Sequence, residues 1–243
     1  MINRAIALVE EEIDLIRRER DALDRFLVRL RDTESDSFDS TGHGLGLVTG
    51  VTGTSDGLRT VRRAYRETVM ATPHYESEYG DTLRESLASE VGAPLARHVM
   101  DGDALTPKLH GALVQASEQS RDDRDDFLRV LCRERDSLRN VETQLNSIES
   151  CVVELRERLS TEPESTQLAD INETLETLEG RCTDLANCRQ DTIHNRCLRK
   201  TSGVGDGSLV WYLYSDMETV TPALSDIASC LDKIRHQRMR CLQ

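Results

Sequence analysis

Two consecutive seven-residue repeats constrain the fold of this chain more than any other feature of its sequence. Their apolar seams are Phe127, Leu131, Leu138, Val141, Leu145, Ile148, Val152, Leu155 and Leu159, followed by Leu168, Ile171, Leu175, Leu178, Cys182 and Leu185. Glu134 is the sole polar residue on the first seam, and residues 160–167, which include a proline, connect the two runs. Because helices joined by so short a connection fold back on each other, the pattern predicts an antiparallel coiled-coil hairpin within residues 106–200.

The two ends of the chain carry the same kind of apolar spacing. The seams are Ile2, Ile6, Val9, Ile13, Ile16, Leu23, Leu27 and Leu30 at the start, and Leu224, Ile227, Leu231 and Ile234 at the end. The Thr-Pro pairs at 72–73, 106–107 and 221–222 are typical of helix starts, because threonine caps a helix and proline suits its first position. Thr82 and Glu85 have the spacing of a capping box. The sequence therefore predicts an all-α fold, a long antiparallel coiled-coil hairpin with additional packed helices.

The predicted organisation is a single elongated helical domain over residues 1–243. Hydrophobic residues make up 37% and aromatic residues 4% of the chain, which argues against a thick globular core. The segments in order are an N-terminal heptad helix (1–32), a flexible Gly/Ser/Thr loop (33–56), a region of short helices (57–105), the coiled-coil hairpin (106–200), a loop (201–208) and a C-terminal helical segment (209–243).

Residues 57–92 contain the least interchangeable side chains of the chain. Helical spacing places Arg59, Arg62, Arg63 and Arg66 on one face of a helix that should end near Ala71. These guanidinium groups either contact the phosphates of a nucleic acid or pair with acidic side chains nearby. The acidic candidates are Glu67, Glu76, Glu78, Asp81 and Glu85. Because the whole chain is acidic, we expect the ion pairs.

His74, Tyr75 and Tyr79 follow Pro73 and add titratable and aromatic groups. A histidine beside carboxylates can act as a general acid or base, but a lone histidine between helices more often caps or packs. No serine or cysteine nucleophile stands in a recognised arrangement in this block, so we predict no enzyme and no catalytic residues. The candidate interaction residues are Arg59, Arg62, Arg63, Arg66, His74, Tyr75 and Tyr79.

The sequence predicts no cofactor and no metal site. Glycines are frequent from Thr41 to Gly57, but a P-loop also needs a lysine and the first lysine of the chain is Lys108. The C-terminal glycines Gly203 and Gly205 likewise indicate a loop.

Cysteine and histidine residues of the second repeat raise the question of zinc. A return of the chain near residue 163 would bring Cys132 opposite His194 and Cys197 as three ligands. The seam assignment instead places Cys132 and Cys197 on an outer flank and Cys182 alone in the core, which predicts inert thiols.

Trp211, Tyr212 and Tyr214 form the densest aromatic cluster of the chain. They are either an exposed patch for a partner or a plug within the helices. Because the chain has few aromatic residues with which to fill a core, we favour the core.

Charge and targeting features indicate the environment. Asp and Glu number 44 against 31 Lys and Arg, the net charge is −13, and lysine occurs only at positions 108, 200 and 233. Such a composition is similar to that of proteins from salt-in halophilic archaea, although an ordinary acidic coiled coil also fits.

The sequence lacks a signal peptide and a membrane span, and its seven cysteines form no CxxC pair. We therefore predict a cytoplasmic protein without a membrane partner.

The block YRETVMATPHYESEYGDTL (65–83), the flanking heptad helices and LYSDMETVTPAL (213–224) resemble a family of haloarchaeal proteins, domain of unknown function 7260. The resemblance covers most of the chain and implies a halophilic archaeal source, with no catalytic residues to carry over. We predict a noncatalytic helical scaffold or protein–protein interaction protein that binds another protein or its own copy. The alternative is a nucleic-acid-associated regulator that uses the arginine-lined helix.

Overall fold

The computed structural model describes residues 1–34, 56–161, 164–197 and 209–241. Within these ranges every regular element is a helix, which confirms the all-α class. The helices are α1 (Ile2–Arg31), α2 (Asp56–Thr68), α3 (Tyr75–Glu78), α4 (Leu83–Val91), α5 (Ala93–Asp101), α6 (Pro107–Leu159), α7 (Ser165–Cys197), α8 (Leu209–Tyr214) and α9 (Pro222–Cys241). The predicted loop at 201–208, all but the ends of the predicted loop at 33–56, and Pro163 lie outside the described residues.

Two helix starts confirm the capping predictions. The Thr106 hydroxyl accepts a hydrogen bond from the Leu109 amide at 3.2 Å, directly before α6. At α4, the Thr82 hydroxyl accepts from the Glu85 amide at 3.4 Å, and the Thr82 amide donates to the Glu85 carboxylate at 2.9 Å. These bonds satisfy backbone amides that have no partner inside the helix.

The predicted Thr-Pro start at residues 72–73 was wrong. The Thr72 hydroxyl donates to the Val69 carbonyl at 3.1 Å instead of capping a helix, and His74 is the N-cap of α3. The preceding helix also ends earlier than predicted, at Thr68, whose hydroxyl donates to the Ala64 carbonyl at 2.7 Å. Local hydrogen bonds to backbone carbonyls thus replace the cap that the sequence indicated.

The chain divides into two compact units, and the division falls inside α1 and α6. Unit 1 comprises residues 1–13 and 129–243, and unit 2 comprises residues 14–128. The single domain over residues 1–243 stays a prediction.

In unit 1, the start of α1, the C-terminal part of α6, α7 and α9 bury apolar side chains. The buried apolar residues of α9 are Ala223, Ile227, Cys230 and Ile234, whereas Leu224 and Leu231 of the predicted seam, like Leu159 and Leu168 of the other two, are only half-buried. Ion pairs join the helices at the surface: the N-terminal amine binds Asp226 at 2.9 Å, and Lys233 of α9 binds Glu149 of α6 at 2.7 Å. Cys182 of α7 and Cys230 of α9 are both buried, with their sulfur atoms 3.8 Å apart. Cys182 is therefore not alone in the core, contrary to the sequence interpretation.

The contacts between α6 and α7 include a buried ion pair at the polar position of the first seam. Glu134 of α6 accepts from Arg189 of α7 at 2.5 and 3.1 Å. The two helices therefore meet at this level, while the seven-residue packing predicted for the hairpin stays a prediction.

Unit 2 is built from the rest of α1, the short helices α2 to α5 and the start of α6. Its core lies around Phe26 and Tyr65, whose rings meet edge to face with centroids 5.2 Å apart. The other core residues are Leu30, Leu58, Val61, Ala64, Leu83, Leu87, Val91, Ala96, Val99, Leu105 and Leu113. Polar bonds tie the helices together at the edge of this core, as between Arg62 of α2 and the Met100 carbonyl of α5 at 3.0 Å.

The described helices are too short or too polar to cross a membrane.

Candidate functional site

The segment after α2 brings three sequence-predicted residues to one side of unit 2. The chain turns through residues 69–73, and His74 then begins the single turn of α3. Gly80 ends that turn with a positive φ of 58°, a conformation that costs glycine little because it has no Cβ. His74 and Tyr75 become buried, while Tyr79 stays half exposed.

Glu19 of α1 is the centre of a charged cluster beside α3. Its Oε1 accepts from the Tyr79 hydroxyl at 2.8 Å and lies 3.3 Å from Nε2 of His74. Its Oε2 accepts from Nε of Arg124 at 3.3 Å. Both carboxylate oxygens are therefore used to join α1, α3 and α6.

Arg124 links Glu19 to Glu90 of α4. Its Nε donates to Glu19, and its Nη2 donates to Oε1 of Glu90. Burial alone lowers the pKa of Arg124, but the charges of Glu90 and Glu19 outweigh burial, and the net shift is upward. The Ser120 hydroxyl adds a bond from α6 to the Glu90 carbonyl at 2.7 Å. The arrangement holds α6 against α4 by charge-assisted hydrogen bonds.

The tyrosines of this region remain protonated over the ordinary pH range. Burial, followed by the negative charge of Glu19, raises the pKa of Tyr79, so its hydroxyl acts as a donor to that carboxylate. Burial also raises the pKa of Tyr65, whose hydroxyl shares a 2.9 Å hydrogen bond with Ser86. Burial raises the pKa of Tyr75 as well.

A cavity of about 250 Å³ adjoins the charged cluster. The charged and aromatic residues that line it are Glu19, Tyr75, Tyr79, Asp81, Glu90 and Arg124. Leu23 and Val69 supply apolar wall, and the rings of Tyr75 and Tyr79 lie 5.6 Å apart. The cavity thus combines carboxylates with an aromatic and aliphatic lining.

The structure places the four predicted arginines in different surroundings. Arg59 forms an exposed ion pair with Asp56 at 2.8 Å, and Arg62 donates to the Met100 carbonyl. Arg63 and Arg66 are exposed, and within the described ranges neither has an ion-pair partner. The expected pairing with the nearby acidic residues is therefore corrected: Glu67 instead binds Arg29 at 2.6 Å. Arg59 pairs with Asp56, an acidic residue that the prediction did not include, and Arg62 bonds to a backbone carbonyl.

His74 and Tyr75, assigned from the sequence to an interaction surface, lie inside unit 2. Of the predicted aromatic and imidazole groups only Tyr79 reaches the surface. Glu19, Glu90 and Arg124 complete the cluster and were missed by sequence reasoning. In the sequence each looks like a solvated charge on a helix, so no local signal distinguishes it.

No group of three His, Cys, Asp or Glu side chains in the described part of the chain is close enough to hold a metal ion. The Cys132–His194–Cys197 alternative involves a side chain, that of Cys197, outside the described residues.

In unit 1, the aromatic cluster is divided between core and surface. Tyr214 is fully buried and donates to Glu134 at 2.7 Å, whereas Trp211 and Tyr212 are exposed. The interpretation of all three as core is therefore wrong for two of them.

The chain was compared with curated proteins, solved structures and protein families. No match was found among curated proteins, and none among solved structures. The family model described as Domain of unknown function (DUF7260) covers residues 1–238, and the chain therefore belongs to this family.

Proposed function

We propose that this protein is a noncatalytic helical interaction protein that binds another protein through α8. The observation that carries the proposal is the exposure of Trp211, the single tryptophan of the chain, 61% of whose surface is accessible. Tryptophan and tyrosine supply much of the binding energy in protein interfaces, because they offer a large rigid surface with one polar group. Tyr212 lies beside it with its hydroxyl bonded to Glu12 at 2.5 Å, which restrains an exposed ring before any partner arrives.

Charge around α8 indicates the chemistry of the partner. Residues 209–232 contain no lysine or arginine, and Asp216 and Glu218 are exposed directly after α8. A partner that presents arginine side chains around an apolar centre can pair with these carboxylates and stack a guanidinium group on Trp211. A second copy of a chain with net charge −13 is a poorer fit, because association then opposes like charges.

The noncatalytic part of the proposal is supported by the bonding of Glu19. Its carboxylate is engaged by Tyr79, His74 and Arg124, so the groups that resemble an acid–base pair serve to join helices. The acidic, lysine-poor composition supports the proposal that the protein works in a cytoplasm of high salt, as in a halophilic archaeon.

The proposal is tested by affinity capture from the native host in molar potassium chloride. Wild-type protein is expected to retain a basic partner that Trp211→Ala loses. Met239→Ala is the matched control, because Met239 is equally exposed at 59% and lies in the same unit. Titration of the purified partner should shift the Trp211 fluorescence to shorter wavelength. Equal retention by wild type and Trp211→Ala would refute the role of α8.

A nucleic-acid-associated role is the second candidate, favoured by the unpaired state of Arg63 and Arg66 among the described residues. Two neighbouring guanidinium groups on α2 can contact adjacent phosphates. In this case nucleic acid should co-purify, and Arg63→Ala with Arg66→Ala should release it while Trp211→Ala does not.

A further inference from the structure

We propose that the cavity of unit 2 between α1, α3, α4 and α6 binds a small organic cation, a primary alkylammonium group with a short apolar body. This site is separate from α8, and the inference does not depend on the proposed function.

Two residues that line the cavity each have a buried polar atom without a hydrogen-bond partner within the described ranges. One is the hydroxyl oxygen of Tyr75, a side chain that is only 6% exposed, and the other is Oε2 of Glu90. Buried polar groups are nearly always paired, because an unpaired one costs about 1–3 kcal/mol. A ligand that donates hydrogen bonds suits acceptors of this kind.

The charge of the lining favours a positive ligand. Among the residues that line the cavity are three carboxylates, those of Glu19, Asp81 and Glu90, and the guanidinium group of Arg124. The carboxylate of Glu19 is fully engaged, so Glu90 keeps the oxygen that is free to accept from a cation. An ammonium group has three N–H donors, and a carboxylate oxygen and a phenol oxygen can both accept hydrogen bonds from it.

The same lining favours an organic cation over a metal ion. Within the described residues no three carboxylate, imidazole or thiolate side chains converge closely enough to hold a metal. The lining also contains Leu23, Val69 and the side chains of Tyr75 and Tyr79. Such a lining packs against methylene groups, and tyrosine rings attract an ammonium group through their faces. A volume of about 250 Å³ suits a short alkyl chain.

The test is calorimetric titration of the whole purified chain with n-butylammonium chloride at constant ionic strength. n-Butanol and sodium butyrate are the matched probes, since they keep the alkyl chain and replace the cation by a neutral or a negative group. A saturable isotherm is expected for n-butylammonium and none for the other two. Absence of saturable binding, or equal binding of butanol or butyrate, would overturn the proposal, and the cavity would then hold water only.

Two variants locate the binding. Glu90→Gln should weaken n-butylammonium binding by about tenfold or more, because the charge-assisted bond is lost. Tyr75→Phe removes a hydroxyl without a hydrogen-bond partner among the described residues, so the fold should keep its stability while affinity drops by about threefold to tenfold. Tyr212→Phe, in unit 1, is the control and should bind as wild type. Undiminished affinity in Tyr75→Phe, with unchanged circular dichroism, would reject this cavity as the site.

Discussion

The ion pair between Glu134 and Arg189 offers the sharpest test of the packing in unit 1. Both side chains are about 1% exposed. The guanidinium group of Arg189 makes two bonds to the Glu134 carboxylate and a third, at 2.9 Å, to the Ser137 hydroxyl. Tyr214 donates to the same carboxylate. Replacing Arg189 by Met therefore leaves a buried carboxylate with much of its hydrogen bonding removed.

The expected cost follows from these bonds. Two charge-assisted hydrogen bonds at roughly 1.5–3 kcal/mol each give about 3–6 kcal/mol, and breaking one side of a buried pair typically costs about 3–5 kcal/mol. Arg189→Met should therefore lower the free energy of unfolding by about 4 kcal/mol. Combining it with Glu134→Leu removes both charges but also the acceptor of the buried Tyr214 hydroxyl, so the double variant should be more stable than Arg189→Met and lie about 1–3 kcal/mol below wild type.

The assay is urea unfolding followed by the fluorescence of Trp211, which belongs to the same unit as the ion pair. Arg139→Met is the control, because it removes an exposed ion pair with Glu10 and should change stability by less than about 1 kcal/mol. A loss below about 1 kcal/mol for Arg189→Met, or a double variant that is less stable than the single one, would refute the reasoning.

Four further predictions concern other parts of the chain. Burial, and then the charge of Glu90, raises the pKa of Tyr65 above its ordinary value of 10.0. The folded chain therefore keeps the phenol proton at a pH where the unfolded chain loses it, so the stabilisation by the protonated phenol is complete below pH 10.0 and is lost as the pH rises above it. Urea midpoints measured from about pH 9 to 11 should fall less steeply in Tyr65→Phe than in wild type. Diamide should oxidise the neighbouring thiols of Cys182 and Cys230 to a disulfide, each sulfur losing a hydrogen to the diazene, and non-reducing peptide mapping should find that cross-link; a map in which only other cysteines are linked would contradict the geometry. Gly80→Ala should lower the free energy of unfolding by about 1 kcal/mol, because an L side chain is strained at its positive φ; unchanged thermal unfolding would refute this. Lowering potassium chloride from molar to millimolar should reduce helicity by circular dichroism, because screening of the net charge of −13 is lost, and an unchanged spectrum would count against the high-salt proposal.

Apolar spacing and capping residues made much of the fold predictable from the sequence. Every residue of the N-terminal seam from Ile2 to Leu30 is buried, and α6 begins at the predicted Thr106–Pro107 pair. These features are local, since helical periodicity and a cap involve residues within one or two turns.

The candidate site was only half predictable, because its members come from distant parts of the chain. His74 and Tyr79 stood out by residue type, but Glu19 and Arg124 are 105 positions apart and meet only through the packing of α1 and α6. Likewise, Glu134 was visible as a polar residue on an apolar seam, whereas nothing near Arg189 in the sequence marks it as its partner. The prediction for Trp211 was wrong for another reason: aromatic type favours burial, whereas the exposure of a side chain depends on tertiary packing that the local sequence of α8 does not reveal.

The placement of Glu134 within an apolar seam also determines how far α7 can slide along α6. A displacement of α7 by one heptad corresponds to about 10 Å along the helix axis. It would carry the Arg189 guanidinium group away from the Glu134 carboxylate and break the buried bonds that join them. We infer that this ion pair sets the axial alignment of α6 and α7 and holds the two helices in a single register.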